Sequence, residues 1–160
     1  MKKSEVKVQL HVRLPPEKVF DIFTHHESYQ QIPFVLNTKL IQQGKLHPSN
    51  GQNAIRKIHF VGGSLKEVVT DMHYPFYWEY LFLKWPLPVQ HLGGRMQFDA
   101  VENGTLVTWS TQYNADRLPK IVVKTVDSIT QSFLLYAAKA LAKIALKRHE
   151  NIKLMMFNNR

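Results

Sequence analysis

Asp127-Ser128-Ile129-Thr130-Gln131-Ser132-Phe133-Leu134-Leu135-Tyr136-Ala137-Ala138-Lys139-Ala140-Leu141-Ala142-Lys143-Ile144-Ala145 is the stretch that decides how the rest of the chain must fold. It runs on to about Phe157 without a proline or glycine and is rich in Ala, Leu and Lys. Apolar residues recur at Ile129, Phe133, Tyr136, Ala137, Ala140, Leu141, Ile144, Ala145, Ile152 and Met155, the spacing of an amphipathic helix. Asp127 and Ser128 are both suitable N-caps, because their oxygens can accept the free N–H groups of a first turn. Lys139, Lys143, Lys147, Arg148 and Lys153 fall in the second half, where positive charge suits the helix dipole.

A long helix with one apolar face needs a surface to bury it against. Between Glu5 and Tyr113 the sequence supplies mainly strands. Val6, Val8, Leu10 and Val12 alternate with polar residues, as in a half-buried strand. Leu14-Pro15-Pro16 ends it, and proline's fixed φ suits the opening of a helix over Glu17 to Phe23, with Val19, Phe20 and Phe23 inward. His25 to Gln31 is a second short helix, packed by Tyr29 and Ile32 and stopped by Pro33. Strands follow at Phe34–Gln42, Asn53–Phe60, Ser64–Met72, Phe76–Leu83, Leu92–Val101 and Thr105–Tyr113.

Gly44 to Gly51 is a loop, Gly62-Gly63 and Tyr74-Pro75 are turns, and Glu102-Asn103-Gly104 closes a hairpin. Trp85-Pro86-Leu87-Pro88 is a proline-interrupted loop or lid, and Asn114 to Val126 an irregular, partly helical connection. The expected architecture is α+β: a curved seven-stranded antiparallel sheet and two short helices around one long C-terminal helix, as a single domain over 1–160.

Composition narrows the function classes. With no cysteine there is no disulfide, no thiolate nucleophile and no cysteine-based zinc site. No apolar run approaches the roughly 20 residues of a membrane span, and the N-terminus leads straight into strand alternation, so a cytoplasmic location is expected. The 21 Lys and Arg against 12 Asp and Glu leave a net charge of +9, which favours an anionic partner or simply a basic solvated surface.

Eight histidines show no metal-binding spacing; His73 by a turn and His91 by the proline-rich loop read as surface positions. No Gly-x-Ser-x-Gly elbow is present, and Gly62-Gly63 and Gly93-Gly94 are too short for a phosphate loop and read as turns. No metal or cofactor is implied. Nothing beyond charge and scattered aromatics favours nucleic acid.

Strand alternation assigns the interior. Ala54, Arg56, Ile58 and Phe60 share one face, which places a guanidinium inside. It needs a carboxylate, from Glu67 or Asp71, or the anionic end of a ligand. Phe76, Trp78, Tyr80 and Phe82 share a face, as do Met96 and Phe98, and Val107, Trp109, Thr111 and Tyr113. The helix opposes them with Phe133, Tyr136, Ala137 and Ala140. Such a wall is either packed core or a pocket for a flat apolar ligand, with Tyr80, Thr111 and Tyr136 as its hydrogen-bonding groups.

The order of these elements resembles the helix-grip fold of the START and birch-pollen-allergen superfamily. Within it the chain is most similar to the polyketide cyclase/dehydrase and lipid-transport group. The residues that carry the likeness are Pro15-Pro16-Glu17-Lys18-Val19-Phe20, Tyr29 with Pro33, and Gly51 with Arg56-Lys57-Ile58. Gly62-Gly63, Glu67-Val68-Val69-Thr70, Pro75-Phe76-Tyr77-Trp78-Glu79-Tyr80, Pro88-Val89, Gly93-Gly94-Arg95 and Gly104-Thr105-Leu106-Val107-Thr108-Trp109 complete it. Glu27 to Pro33 also looks like the entry helix of ubiquinone-binding members.

The resemblance implies an internal cavity and no single reaction. Three functions follow as expectations. One is binding of a hydrophobic or aromatic small molecule or lipid between sheet and helix. The second is a polyketide cyclase or dehydratase in which Arg56, Tyr80 and Tyr136 move protons. The third is a lipid or quinone carrier that docks on an anionic membrane through Lys139, Lys143 and Lys147.

Overall fold

The computed structural model describes residues 1–158. Its elements, in chain order, are β1 (Lys3–Val12), α1 (Pro16–Thr24), α2 (His26–Tyr29), β2 (Val35–Gln42), β3 (Ile55–Phe60), β4 (Gly63–His73), β5 (Tyr77–Lys84), β6 (His91–Val101), β7 (Gly104–Asn114) and α3 (Lys120–Asn158). The seven strands form one antiparallel sheet in the order β1-β7-β6-β5-β4-β3-β2. Strands β2 to β7 are a continuous meander. β1 joins its far edge in unbroken register from Lys3 opposite Asn114 to Val12 opposite Thr105. Since β1 and β2 are the two edges, the α1–α2 connection must cross from one side of the sheet to the other.

Alternation places the core as expected. Val6, Val8 and Val12 of β1 are buried, as are Ala54, Arg56 and Ile58, then Met96 and Phe98, then Val107, Trp109, Thr111 and Tyr113. Pro16 opens α1 at its first turn, and Val19, Phe20 and Phe23 are fully buried. At the β6–β7 turn Asn103 takes the left-handed φ of 61°, which asparagine tolerates better than most residues. Phe76 departs from the expected β5 face. It lies in the turn before β5, exposed and stacked on His73 at 5.5 Å.

The long helix begins seven residues earlier than expected, at Lys120. Ile121, Val122, Val123, Thr125 and Val126 read poorly as helix because β-branched side chains lose rotamer freedom there. Packing overrides that weak preference. Val122, Val123 and Val126 join Tyr113 and Ala115 with Trp85, Leu87 and Val89 of the proline-rich loop in a second, smaller apolar cluster. Asp127 is therefore no cap. It sits on the second turn, where its carboxylate accepts the Tyr113 hydroxyl at 2.7 Å and the Ser4 hydroxyl at 2.9 Å, tying α3 to β7 and β1.

The buried stripe of α3 is Val126, Thr130, Leu134, Ala137, Ala138, Leu141, Ala142 and Ala145. It is rotated toward Leu134 and Ala138 and away from Tyr136, Ala140 and Ile129. By length and mean hydropathy alone α3 is long and apolar enough to cross a membrane, although no uninterrupted apolar run marks it in the sequence. In this fold that same stretch grips the sheet.

Candidate functional site

The space between sheet and helix has two halves. Under α1 and α2 it is nearly filled. Arg56 of β3 is 0% exposed. Its Nε donates to Glu67 Oε1 at 2.9 Å, Nη2 donates to the same carboxylate, and Nη1 donates to the carbonyl of Thr24 at the end of α1. The pair faces across β3 and β4, where Arg56 and Glu67 are direct register partners.

The guanidinium lies over the Trp78 ring at 4.5 Å and near the Tyr29 ring at 5.8 Å, both favourable for a desolvated cation. The surrounding polar groups are also satisfied. Trp78 Nε1 donates to the Asn50 carbonyl at 3.0 Å, Asn50 Nδ2 to the Thr24 hydroxyl at 2.7 Å, and Tyr29 to the Phe23 carbonyl at 2.9 Å. Burial raises the Tyr29 phenol above its ordinary range, so it stays neutral.

Phe98 closes this half from β6, with its ring 5.1 Å from Phe20 and 6.0 Å from Phe23. Met96 lies beside it, fully buried. The open choice at Arg56 is thus resolved by geometry: its partner is Glu67. Asp71 instead accepts the Tyr77 hydroxyl at 2.9 Å.

Toward the start of α3 the space is open. A cavity of about 170 Å³ lies among Phe60 and Leu65 of the sheet, Phe82 of β5, Trp85, Pro86 and Leu87 of the loop, and Ile129, Thr130, Phe133 and Leu134 of α3, with Thr111 of β7. Its wall is apolar. A second void of about 20 Å³ lies deeper, among Tyr29, Ile32, Ile58, Glu67, Trp109 and Ala137. Phe60, Leu65, Phe82 and Phe133 border both. An apolar wall gives water no hydrogen-bond partner and favours an apolar occupant.

Behind Thr111 a string of polar groups is buried in the sheet. β5 and β6 pair only from Tyr77–Gln97 to Tyr80–Gly94. Beyond that point the imidazole of His91 takes the place of a strand, with Nδ1 accepting the Phe82 N–H at 2.9 Å. Its Nε2 therefore carries the proton and donates to Thr111 Oγ1 at 2.7 Å. The ring stacks on Phe82 at 4.3 Å and Tyr80 at 5.7 Å.

Burial pushes the His91 imidazole down to about 4, so it is neutral near pH 7. Tyr80 accepts Trp109 Nε1–H at 2.7 Å, and burial raises its own phenol well above the ordinary value. Gly94 makes this possible: a Cβ there would lie 2.2 Å from Tyr80 Cζ. Gly93-Gly94 is therefore a strand feature under an aromatic ring, not a turn, and His91 is a core residue, not a surface one.

The residues expected at the site divide accordingly. Phe60, Phe82, Thr111 and Phe133 border the larger cavity, and Ile58, Trp109 and Ala137 the deeper void. Arg56, Trp78, Met96, Phe98 and Tyr80 are packed core. Tyr136 is 47% exposed and, with Ala140, borders a groove between α3, the end of β1 and Gln31 to Pro33. Rotation of the helix stripe put them there.

Of the three groups expected to move protons, Arg56 and Tyr80 already have partners and Tyr136 is 47% exposed. The sequence reading omitted Leu65, Thr130, Leu134 and the loop residues as lining. The tetrapeptide Trp85-Pro86-Leu87-Pro88 was their one visible signal. Among the described residues no three His, Asp or Glu side chains converge on a possible metal position.

A family model described as "Polyketide cyclase / dehydrase and lipid transport" matches residues 3–145. No curated protein matches the chain. Among solved structures, the Zhui aromatase/cyclase from Streptomyces sp. R1128 superposes with a TM-score of 0.74 at 14% identity, over 92% of this chain and 96% of that one. The protein XoxI from Bacillus cereus gives 0.71 at 17% identity, over 91% and 98%. Ara h 8.0201 gives 0.67 at 14% identity, over 91% and 99%. At these identities the likeness is one of fold.

Proposed function

Since the chain belongs to the polyketide cyclase/dehydrase and lipid-transport family, we propose that it binds a small apolar molecule between its sheet and α3. The observation that carries this reading is the apolar cavity of about 170 Å³ under the Trp85–Pro88 loop. That volume matches a single ring: a cavity of roughly 150 Å³ with a similar wall takes up benzene. A larger ligand would need the 20 Å³ void as well, reached by turning Phe82 or Phe133 aside.

The entry route in this reading is the loop itself, held by Trp85 Nε1 donating to the Val89 carbonyl at 2.7 Å. Folding a polyketide chain would call for a pocket several times larger, in the ordinary ligand range of about 300–1,000 Å³. It would also call for free proton-moving groups, which Arg56, Tyr80 and Tyr136 do not supply. Binding is therefore favoured over cyclisation.

The test is a ring series of benzene, indole and anthracene, followed by thermal shift and by amide NMR. Saturable stabilisation by the smaller members, with shifts at Thr111, Thr130 and Leu134, is expected. Leu134→Trp should remove it by filling the cavity. Absence of saturable binding by any member, or binding that survives Leu134→Trp, would sink the reading.

A further inference from the structure

The grip of α3 on the sheet ends at Ala145, its last buried residue among those described, and the family match ends at the same place. The helix does not end there. It continues through residues 146–158. This extension exposes apolar side chains that a free helix end does not need: Ile152 52%, Leu154 62%, Met155 67% and Met156 65%. Lys147, Arg148 and Lys153 are exposed among them, with Glu150 as the one carboxylate. The basic line continues back along the helix through Lys143 and Lys139, so residues 128–156 carry five cations against one acid.

We propose that this extension is a docking element for an anionic phospholipid surface. The arrangement round the helix selects that occupant. Ile152, Met155 and Met156 lie on one side, and Leu154 about 200° away from Ile152, beside Lys147. A second helix covers one stripe, so it would leave either Leu154 or the other three bare. A headgroup layer accepts all of them: the carbon stems go down to the acyl boundary while the ammonium and guanidinium groups stay with the phosphates. Methionine's unbranched, flexible side chain suits a fluid surface. Anionic lipid also draws in Lys147, Arg148 and Lys153, an attraction that fades over a Debye length.

The proposal is independent of what the internal cavity holds. The experiment is co-sedimentation of the full chain with phosphatidylcholine vesicles, with and without phosphatidylserine. Binding only to the phosphatidylserine vesicles, released by salt near ~1 M, is expected. I152S/M155S/M156S and, separately, K147Q/R148Q/K153Q should each weaken it about tenfold or more. These side chains are exposed, so circular dichroism and the melting temperature should stay unchanged in both variants.

Equal binding by either triple variant, or equal binding to neutral vesicles, would overturn the proposal. So would no vesicle binding together with a concentration-dependent dimer that I152S/M155S/M156S abolishes, which would assign the face to a second copy of the chain.

Discussion

The two halves of the space beneath α3 share one sheet and one helix, yet one is closed and the other is not. Under α1 and α2 a charge, a carboxylate and the rings of Phe20, Phe23, Trp78 and Phe98 leave no more than the void of about 20 Å³ beside Tyr29. Arg56 reaches Glu67 and Thr24, and Trp78 covers it from below. Under the Trp85–Pro88 loop a cavity of about 170 Å³ persists. The difference lies in what supplies the lid. Helix α1 brings in Val19, Phe20 and Phe23 at fixed spacing, all fully buried. A proline-interrupted loop offers Trp85 and Leu87 only partly buried and cannot reach as deep. Stability is concentrated in the first half, and room for a ligand in the second.

The largest expected effect breaks the closed half. Arg56→Met leaves the Glu67 carboxylate buried without its partner, at a cost of about 3–5 kcal/mol. Denaturant titration reads it as a lower midpoint with unchanged slope. Adding Glu67→Leu should return most of the loss, because a pair replaced by apolar groups costs far less than a pair broken. A double variant no better than the single one would mean that the pair does more than satisfy itself.

The two halves should also respond differently to the same deletion. Phe98→Ala removes a fully buried ring packed on Phe20 and Phe23, and about 3–5 kcal/mol should go with it. Phe133→Ala removes a half-buried ring that already borders open volume, and about 1–2 kcal/mol is expected. It should also join the cavity to the deeper void and shift the preferred ligand toward larger rings. Equal losses at the two sites would remove the contrast between the halves.

His91 sharpens the comparison from the side of pH. Its folded value is lowered to about 4 from an ordinary 6.5, because burial penalises the charged ring. The unfolded chain therefore binds a proton between those values while the folded chain does not. Stability is full above about pH 7, falls as pH drops through 6.5 and levels off near 4. About 3 kcal/mol is at stake. His26, also lowered by burial, adds to the loss in the same direction. His91→Leu should flatten this slope to the His26 share, while costing about 1–3 kcal/mol at neutral pH for the unpaired Phe82 N–H. An unchanged slope would mean that the ring titrates normally in the fold.

Much of this was legible in the sequence. Alternation alone put Arg56, Trp78, Met96, Phe98, Trp109 and Thr111 inside, because strand period is two and tolerates no drift. The helix was legible as a helix but not in its rotation. Thr130 is polar yet buried, Tyr136 is aromatic yet exposed, and composition weights both the wrong way. Its start was hidden under β-branched residues whose partners lie elsewhere in the chain. Whether an inward aromatic fills space or borders it depends on the lid above it. That relation joins Trp85 to Leu134 and Phe20 to Phe98, and no local pattern carries it. His91 was missed for a similar reason: its partners, the Phe82 N–H and Thr111, come from two other strands.

The smallest effect tests the helix rotation directly. Tyr136→Ala deletes a side chain placed inside by periodicity and outside by the fold. It touches the Phe34 ring at 5.2 Å and no hydrogen-bond partner among the described residues, so about 0.5–1 kcal/mol should be lost. Binding of a single-ring probe should change by less than about twofold, since differences of that size are well under 1 kcal/mol. Leu134, two residues earlier in α3 and on its buried side, should govern the same binding strongly. If Tyr136→Ala abolishes binding while Leu134→Trp spares it, the helix presents its other face to the ligand. The ligand site would then be the groove between α3 and β1 beside Ala140 instead of the cavity under the loop.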